Sequence, residues 1–292
     1  KKNIVFFLFS AIFGQNCHFC MIFVYSFIVF YYFCRKIHKY NLNMFRNLPT
    51  ITKNLLLINV VCFFADLTMK RYGIDLVNIL GLHYITSDGF RLWQPLTYMF
   101  MHAGWKHLFF NMFAVLMFAP ALESRWGEKR FLIYYLITGL GAAVVQEAVW
   151  ALQLHNWLNG GSAMVAMRAM AWANNAITIG ASGAVFGILL AFGWLFPDVR
   201  MFIMFIPIPI RARTLVIIYA LIELFSGIAP TAGDNVAHFA HLGGMIFGWL
   251  LILWWRHRGY YGFDSTPWND GTLRRWIENI KRWIPACCMR LH

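Results

Sequence analysis

Ser182 and His241 are the residues of this chain whose types could together perform nucleophilic chemistry. Ser182 lies at the head of an apolar stretch, TIGASGAVFGILLAFGWLF, and His241 lies in VAHFAHLGGMIFG. A serine hydroxyl attacks a carbonyl group when a neighbouring base takes its proton, and histidine is the most frequent base in this role. A lone serine in an apolar helix usually bonds to a carbonyl group of its own helix, so its surroundings decide its meaning.

Other polar residues lie in apolar stretches and could support the same chemistry. His107 and Asn111 are four residues apart, so on a helix they share one face and could direct two donors to one point. His102 precedes His107 by five residues and would lie elsewhere around the helix. Such groups are costly in a membrane, so each is a candidate for function unless a structural hydrogen bond explains it. The remaining members of the group are Glu147, Glu223 and His238.

Glycines give the two stretches surfaces that could pack closely. A run of glycines begins beside Ser182, and the spacing Gly244-x-x-x-Gly248 follows His241. Helices without side chains on one face can approach until their backbones touch. Docking of the two surfaces would therefore bring the serine beside the histidine. The glycines of the first run are Gly180, Gly183, Gly187 and Gly193.

The start of the helix that carries Ser182 could also bind an oxyanion. A helix N-terminus presents backbone N–H groups that have no intrahelical partner. The side chains of His107 and Asn111 could add two donors to them. These are the parts of an acyl-transfer site with one exception, because no carboxylate that would orient the base is evident beside His241.

The composition predicts a membrane protein. Of the 292 residues, 60% are hydrophobic and only 13% are charged, about half the charged fraction of an ordinary soluble domain. Inside a bilayer every backbone polar group must be paired within the protein, so spans are helices or closed barrels. Apolar blocks near 20 residues long, without the alternation of barrel strands, favour an all-α, polytopic protein.

Six membrane helices are predicted, within a domain over residues 44–256. A further apolar block at about 4–34 precedes them and could form an extra N-terminal helix. Met44 opens a plausible alternative start, so we separate residues 1–43 as an N-terminal hydrophobic segment and expect no signal peptide there. The six helices are expected at about 53–68, 100–120, 130–151, 181–196, 213–229 and 236–255.

The basic residues predict how the chain lies in its membrane. Lys and Arg are more numerous in the loops that would lie inside if both ends of the six-helix core are inside. This arrangement places Ser182 near the outer face, and the compact core without a transit sequence indicates a bacterial plasma membrane. The formal net charge of +13 is gathered beside apolar blocks, which indicates anionic lipid rather than nucleic acid as the counter-charge.

Three segments outside the six helices have patterns of their own. Residues 69–99 contain spaced apolar residues typical of an interfacial, half-buried loop. Residues 152–179 contain a Met and Ala stripe that predicts a helix lying on the membrane surface rather than a ligand site. Residues 257–292 are predicted to be a basic amphipathic tail on the inner leaflet.

Other chemistries fit the sequence less well. The motif at Ser182 is not a G-x-S-x-G elbow, and the zinc-protease motif H-E-x-x-H is missing. His238-x-x-His241 with His102 or His107 could hold a metal, but carboxylate or cysteine ligands are missing near them in the sequence. A transporter would show repeated halves or broken helices, and neither is evident.

Four motifs in combination resemble those of the rhomboid intramembrane serine proteases over residues 53–256. They occur in the order of that family and on the expected helices. They are His102-x4-His107-x3-Asn111, Glu123-x-Arg125-x-Gly127, Gly180-Ala-Ser182-Gly183 and Ala240-His241-Leu-Gly-Gly244-x3-Gly248. The resemblance implies a six-helix bundle that cleaves transmembrane segments of other membrane proteins, with no metal and no cofactor.

The resemblance also implies a role for each motif residue. Ser182 would be the nucleophile and His241 its general base, a dyad without an acid, with His238 as the alternative base. The N–H group of Ser182 would form the oxyanion hole together with His107 and Asn111. The supporting residues would be His102, Gly180, Gly183, Phe186, Gly244, Gly248, Glu123 and Arg125.

Two positions depart from the pattern of the family. Trp93 is followed by Gln94 rather than arginine, so the first loop must be anchored in another way. The aromatic residue one turn after the serine is Phe186 rather than tyrosine, which keeps a ring for stacking under the histidine but no hydroxyl. By the same resemblance, the fifth helix and residues 226–235 would form a gate and cap.

Overall fold

The computed structural model describes residues 48–160, 162–203, 206–229 and 236–259. The chain divides into two compact units after Leu48, and the elements below belong to the second. The described helices are α1 (Thr50–Lys70), α2 (Leu76–Leu80), α3 (Gln94–Thr97), α4 (Trp105–Trp126), α5 (Glu128–Gly160), α6 (Ala163–Asn175), α7 (Ser182–Leu195), α8 (Ala212–Ile228) and α9 (His238–His257). The described strands are β1 (Leu82–His83), β2 (Ile177–Thr178), β3 (Arg200–Ile203) and β4 (Ile206–Arg211).

The prediction of a polytopic, all-α membrane protein is confirmed. Each of the six predicted segments is a helix, namely α1, α4, α5, α7, α8 and α9. Within the described part of the chain, α1, α4, α5 and α9 are long and apolar enough to cross a membrane, and α7 is a shorter apolar helix. The extra N-terminal helix, the tail over 257–292 and most of the cap at 226–235 fall largely or wholly outside the described residues.

The short helix α7 lies at the centre of the bundle. It packs against α9, α5, α4 and α8, and nine of its 14 residues are buried. Large apolar side chains on the outer helices are exposed instead, as expected where lipid is the solvent. Examples are Leu57, Val61 and Phe64 on α1 and Ile218, Ile222 and Phe225 on α8.

A glycine contact sets the distance between α7 and α9. A Cβ atom on Gly244 would collide with the backbone carbonyl of Gly183, so the two helices meet backbone to backbone. The predicted docking of two glycine surfaces holds only at this pair. Gly187 faces Thr138 of α5, and Gly248 faces Tyr134 of α5. Gly187 and Gly248 therefore allow close packing against α5 and do not bring α7 and α9 together.

Glu123 ties the start of α1 to the end of α4. The carboxylate is 2% exposed and accepts hydrogen bonds from the N–H groups of Ile51 (2.8 Å) and Thr52 (2.7 Å) and from the Thr52 hydroxyl (2.7 Å). A negative group at the first turn satisfies otherwise unpaired donors and complements the helix dipole. Arg125 lies in the last turn of α4, and Gly127 ends the helix with a φ of 80°.

The first loop is anchored by Gln94, which is fully buried. Its Oε1 accepts from the N–H groups of His83 (3.3 Å) and Arg91 (3.1 Å), and its Nε2 donates to the Gly89 carbonyl (2.9 Å). β1 of this loop pairs antiparallel with β2, Leu82 opposite Thr178. The loop is thereby joined to the segment that leads directly into Ser182.

Two features differ from the sequence expectation. The helix predicted at 130–151 continues to Gly160, so α5 has 33 residues and is about 50 Å long. The Met and Ala stripe is helical as predicted and forms α6, with Ala169 and Ala173 buried and Met167 exposed. The hairpin of β3 (Arg200–Ile203) and β4 (Ile206–Arg211) before α8 was not predicted from the sequence.

Candidate active site

The structure brings Ser182 and His241 together. Ser182 is the first residue of α7, and His241 lies in the first turn of α9. The Ser182 Oγ and His241 Nε2 atoms are 2.7 Å apart, which is hydrogen-bond distance. His241 is 7% exposed, so bulk water competes little with this bond. The Gly183–Gly244 backbone contact lies one residue beyond the serine and produces this separation.

A carboxylate on α8 completes the arrangement on the other side of the histidine. Glu223 Oε2 lies 2.8 Å from His241 Nδ1, and the side chain of Glu223 is 11% exposed. An ionised carboxylate only accepts hydrogen bonds, so the proton of the neutral ring belongs on Nδ1. Nε2 is then left with a lone pair that can accept the proton of the Ser182 hydroxyl.

Glu223 was recognised in the sequence as a polar residue in an apolar stretch, but its contact with His241 was not predicted. The expectation of a dyad without a carboxylate is therefore not what the fold shows. The two residues are 18 positions apart, on different helices, and the segment between them has no periodic pattern that would give their mutual rotation. The one available signal was a lone acidic side chain in an apolar helix, which is costly unless it has a partner.

His238 shares the same carboxylate. Its Nδ1 lies 2.7 Å from Glu223 Oε2, and its side chain is 12% exposed. The structure thus places His241 against Ser182 and places His238 on the far side of Glu223. The metal-ligating atoms of Glu223, His238 and His241 all lie within 4.8 Å of one another. The carboxylate missing near the His238-x-x-His241 pair in the sequence is present in the fold.

Phe186 holds the plane of the base. Its ring stacks on the imidazole of His241 with centroids 4.4 Å apart and planes 8° apart. Phe186 lies one turn after Ser182 on α7, so the same helix carries the nucleophile and the support of the base. The ring of Tyr219 meets Phe186 edge to face at 6.3 Å from the other side.

His107 lies beside the serine across Gly180. A Cβ atom on Gly180 would be 2.7 Å from His107 Nε2 and 3.5 Å from Ser182 Oγ, and its φ of 129° also favours glycine. The Ala103 N–H group points at His107 Nδ1 over a long 3.4 Å. Because an N–H group only donates, this contact favours the tautomer with the proton on Nε2, a donor directed toward the serine.

Asn111 lies one turn below His107 and is engaged with its own helix. Its Nδ2 donates to the His107 carbonyl at 2.9 Å, and the residue is 6% exposed. The Asn111 NH2 group carries a second N–H that this bond does not use. The N-cap of α7 is Ala181, whose side chain cannot accept from the first N–H groups of the helix. The first turn of α7 therefore has no side-chain cap.

His102 precedes α4 and is 1% exposed. Its ring meets that of His107 edge to face, with centroids 5.0 Å apart. Burial, together with the nearby His107, lowers the pKa of His102 to about 3 against a smaller opposite effect of the Phe100 backbone. His102 is therefore a neutral packing partner of His107 near neutral pH.

The chain was compared with known proteins. A family model described as "Rhomboid domain" matches residues 89–258. YdcA of Bacillus subtilis (strain 168), provisionally named a rhomboid protease, is 26% identical over 70% of this chain and 86% of its own. RHOMBOID-like protein 2 of Arabidopsis thaliana is 28% identical over 63% of this chain and 48% of its own. Rhomboid-like protease 3 of Toxoplasma gondii is 27% identical over 61% of this chain and 57% of its own. The chain thus spans about half the length of the plant and Toxoplasma relatives.

Proposed function

The chain belongs to the rhomboid family, and from this we propose that it is an intramembrane serine endopeptidase whose nucleophile is Ser182 and whose base is His241. The observation that carries the proposal is the 2.7 Å contact between Ser182 Oγ and His241 Nε2. Relatives whose names call them proteases support the same activity.

The proposed reaction begins with proton transfer from the Ser182 hydroxyl to His241 Nε2 as Oγ attacks the scissile carbonyl carbon. The imidazolium that forms is stabilised by Glu223 through Nδ1–H. His241 then gives its proton to the leaving amine as the C–N bond breaks, leaving an acyl ester on Ser182. A water molecule, activated by the same Nε2, attacks the ester and restores the serine hydroxyl.

The developing oxyanion would be bound by three donors. They are the backbone N–H of Ser182, Nε2–H of His107 and the second Nδ2–H of Asn111, which its bond to the His107 carbonyl leaves available. Donors that face the position of the oxyanion in a site shielded from water supply a large share of the rate in acyl transfer. Gly180 is needed because any side chain there would fill the space between His107 and Ser182.

The proposed substrates are transmembrane segments of other membrane proteins. A helical substrate hides its carbonyl groups in i to i−4 bonds, so it must unwind locally before the attack. Sites with Gly or Pro nearby unwind most easily. Loops rich in Lys and Arg on the other side of the bundle support an active site near the outer face of a bacterial plasma membrane. Anionic lipid, rather than nucleic acid, would be the partner of the basic residues.

Cleavage by purified protein tests the proposal directly. Full-length protein in detergent is mixed with a generic transmembrane substrate, and product is followed by gel. We expect Ser182→Ala and His241→Ala to reduce cleavage to background. Ser162→Ala and His257→Ala are matched controls, because both residues are exposed and far along the chain from the site. Cleavage at the wild-type rate by both site variants would overturn the assignment. Substrate binding without cleavage by wild type would indicate a non-enzymatic helix-binding protein.

A further inference from the structure

We propose that Glu223, His238 and His241 form a binding site for a borderline-soft divalent cation such as Zn²⁺, and that an ion bound there switches the base off. The binding part of this inference stands on the geometry of the three side chains. The inhibitory part rests on the proposed function, in which His241 is the base.

The three side chains have the donor types and the spacing that such an ion needs. Glu223 Oε2 lies 2.7 Å from His238 Nδ1 and 2.8 Å from His241 Nδ1, and all three donor atoms fall within 4.8 Å of one another. Zinc bonds of about 2.0–2.2 Å in a tetrahedral arrangement separate ligand atoms by roughly 3.2–3.6 Å. To admit the ion, side-chain rotations must open the two carboxylate contacts by less than about 1 Å and bring the two imidazole nitrogens, which lie within 4.8 Å of each other, to the same separation.

The surroundings favour this class of cation. The side chains of Glu223, His238 and His241 are 11%, 12% and 9% exposed, so few water molecules compete as ligands. Two imidazoles and one carboxylate suit Zn²⁺ and its first-row neighbours, whereas Mg²⁺ and Ca²⁺ prefer oxygen ligands. Three protein ligands leave a fourth position for water, as in open zinc sites. His238 lies at the start of α9 and is the most exposed of the three.

An ion on His241 Nδ1 would reverse the direction of the Ser182 hydrogen bond. Nδ1 must offer its lone pair to the metal, so the proton of the neutral ring passes to Nε2. The ring stays neutral and no proton is lost. Nε2–H is then a donor facing Ser182 Oγ and cannot accept the serine proton. The ring need not leave its place on Phe186 for activity to stop.

This site differs from the metal arrangement considered from the sequence. There, His102 or His107 was the third ligand. In the described bundle the His107 ring lies beside Gly180 and packs against the His102 ring, and neither residue belongs to the cluster of Glu223, His238 and His241. The carboxylate that makes a metal site plausible comes from α8, which the sequence did not connect to α9.

Calorimetric titration with ZnCl₂ tests binding independently of activity. The protein is the full chain carrying Ser182→Ala, so that catalysis cannot contribute. We expect one equivalent of Zn²⁺ to bind in the micromolar range or tighter, and His238→Gln to weaken binding at least 10-fold. His257→Gln, an exposed histidine on the same helix, is the matched control and should leave binding unchanged.

A second background tests for a zinc site in the C-terminal tail. Cys287→Ser with Cys288→Ser removes the adjacent thiols near the C-terminus. If zinc binding disappears in this background and persists in His238→Gln, the ion lies in the tail and the proposal is wrong. Binding that no substitution at Glu223 or His238 weakens would overturn it equally.

Cleavage assays with protein that retains Ser182 test whether the bound ion inhibits the enzyme. We expect Zn²⁺ to inhibit cleavage at the concentration that half-fills the site and EDTA to restore it. For His238→Gln, measured against its own zinc-free rate, at least 10-fold more Zn²⁺ should be needed. Cleavage without zinc binding would defeat the metal inference alone. Zinc binding to a protein that never cleaves would defeat the proposed function and leave the site standing.

Discussion

At the scale of single residues, Glu223 determines which nitrogen of His241 is available to Ser182. The carboxylate accepts from Nδ1 at 2.8 Å, and the serine hydroxyl lies 2.7 Å from Nε2 on the opposite edge of the ring. Glu223 does not touch the reacting atoms, so it is a positioning residue. Its negative charge also favours the imidazolium that forms during attack.

We expect Glu223→Gln to lower kcat by about 10²–10⁴-fold with little change in KM, by analogy with the neutralised carboxylate of the chymotrypsin triad. Glutamine keeps the shape of the side chain but not its charge, and its amide can turn its donor side toward the ring. Steady-state cleavage of a fluorogenic transmembrane substrate measures both constants. Glu128→Gln, on the exposed first turn of α5, is the control. An unchanged kcat would show that Glu223 serves His238 or packing only.

A second prediction at the scale of residues concerns His102 and the pH dependence of the free energy of unfolding. Its pKa falls from 6.5 to about 3 in the folded protein, so between these values the unfolded chain binds a proton that the folded chain does not. Stability therefore falls as the pH drops below about 6.5, by about 2 kcal/mol at pH 5. Above pH 6.5 this contribution is constant.

Unfolding in mixed micelles at pH 7 and pH 5 measures this effect. The loss between the two pH values should be smaller in His102→Gln than in wild type by about 2 kcal/mol. His257→Gln, exposed on α9, should show the wild-type loss. Equal losses in wild type and His102→Gln would mean that His102 is protonated in the folded protein.

At the scale of elements, the contact of Gly244 with the Gly183 backbone controls the site. Gly244→Ala puts a methyl group into the Gly183 carbonyl and must push α9 from α7. Overpacking of this kind lowers the free energy of unfolding by about 1–3 kcal/mol. Because the 2.7 Å Ser182–His241 contact depends on this approach, we expect kcat to fall far more than the loss of folded protein explains.

Thermal unfolding and labelling of Ser182 by a fluorophosphonate measure stability and nucleophile reactivity on one sample. Gly160→Ala is the control, because a Cβ atom there meets no atom within 4 Å. A stable Gly244→Ala protein with wild-type labelling would show that the helices can separate without disturbing the site.

At the scale of the whole molecule, the length of α7 predicts that the serine lies inside the membrane. Its 14 residues span about 21 Å, less than the roughly 30 Å of a hydrocarbon core. If α7 ends at the inner interface, Ser182 lies below the outer one, beneath the first loop that β1 and Gln94 fasten to the bundle. Water and an unwound substrate must both reach this recessed site.

Thiol accessibility in intact cells tests this orientation. In a cysteine-free background, a small membrane-impermeant maleimide is expected to label Ser182→Cys from outside, more slowly than it labels Ser162→Cys in the outer loop. Arg200→Cys, in the loop predicted to be inside, should react only after lysis. Labelling of Arg200→Cys in intact cells would show that the orientation is reversed.

The sequence by itself determined the six helices and predicted the candidate site residues on α4, α7 and α9. Hydropathy is a local property, so α1, α4, α7, α8 and α9 begin and end within about six residues of the predicted positions, whereas α5 continues nine residues beyond its predicted end. The four motifs then identified Ser182 and His241. The sequence predicted that the first loop must be anchored but not by which residue. Gln94 anchors it through four hydrogen bonds, and the spacing of residues in the sequence does not indicate them.

The tertiary structure alone decided how the helices are rotated about their axes and which side chains meet as a result. It turned Glu223 of α8 toward α9, where one oxygen serves both His238 and His241. It also packed Gly248 against Tyr134 of α5 rather than against α7. In a membrane, lipid is as apolar as the interior of the bundle, so hydrophobic patterning does not fix the rotation of a helix about its axis. Close packing and the pairing of buried polar groups do, and both are properties of the assembled bundle.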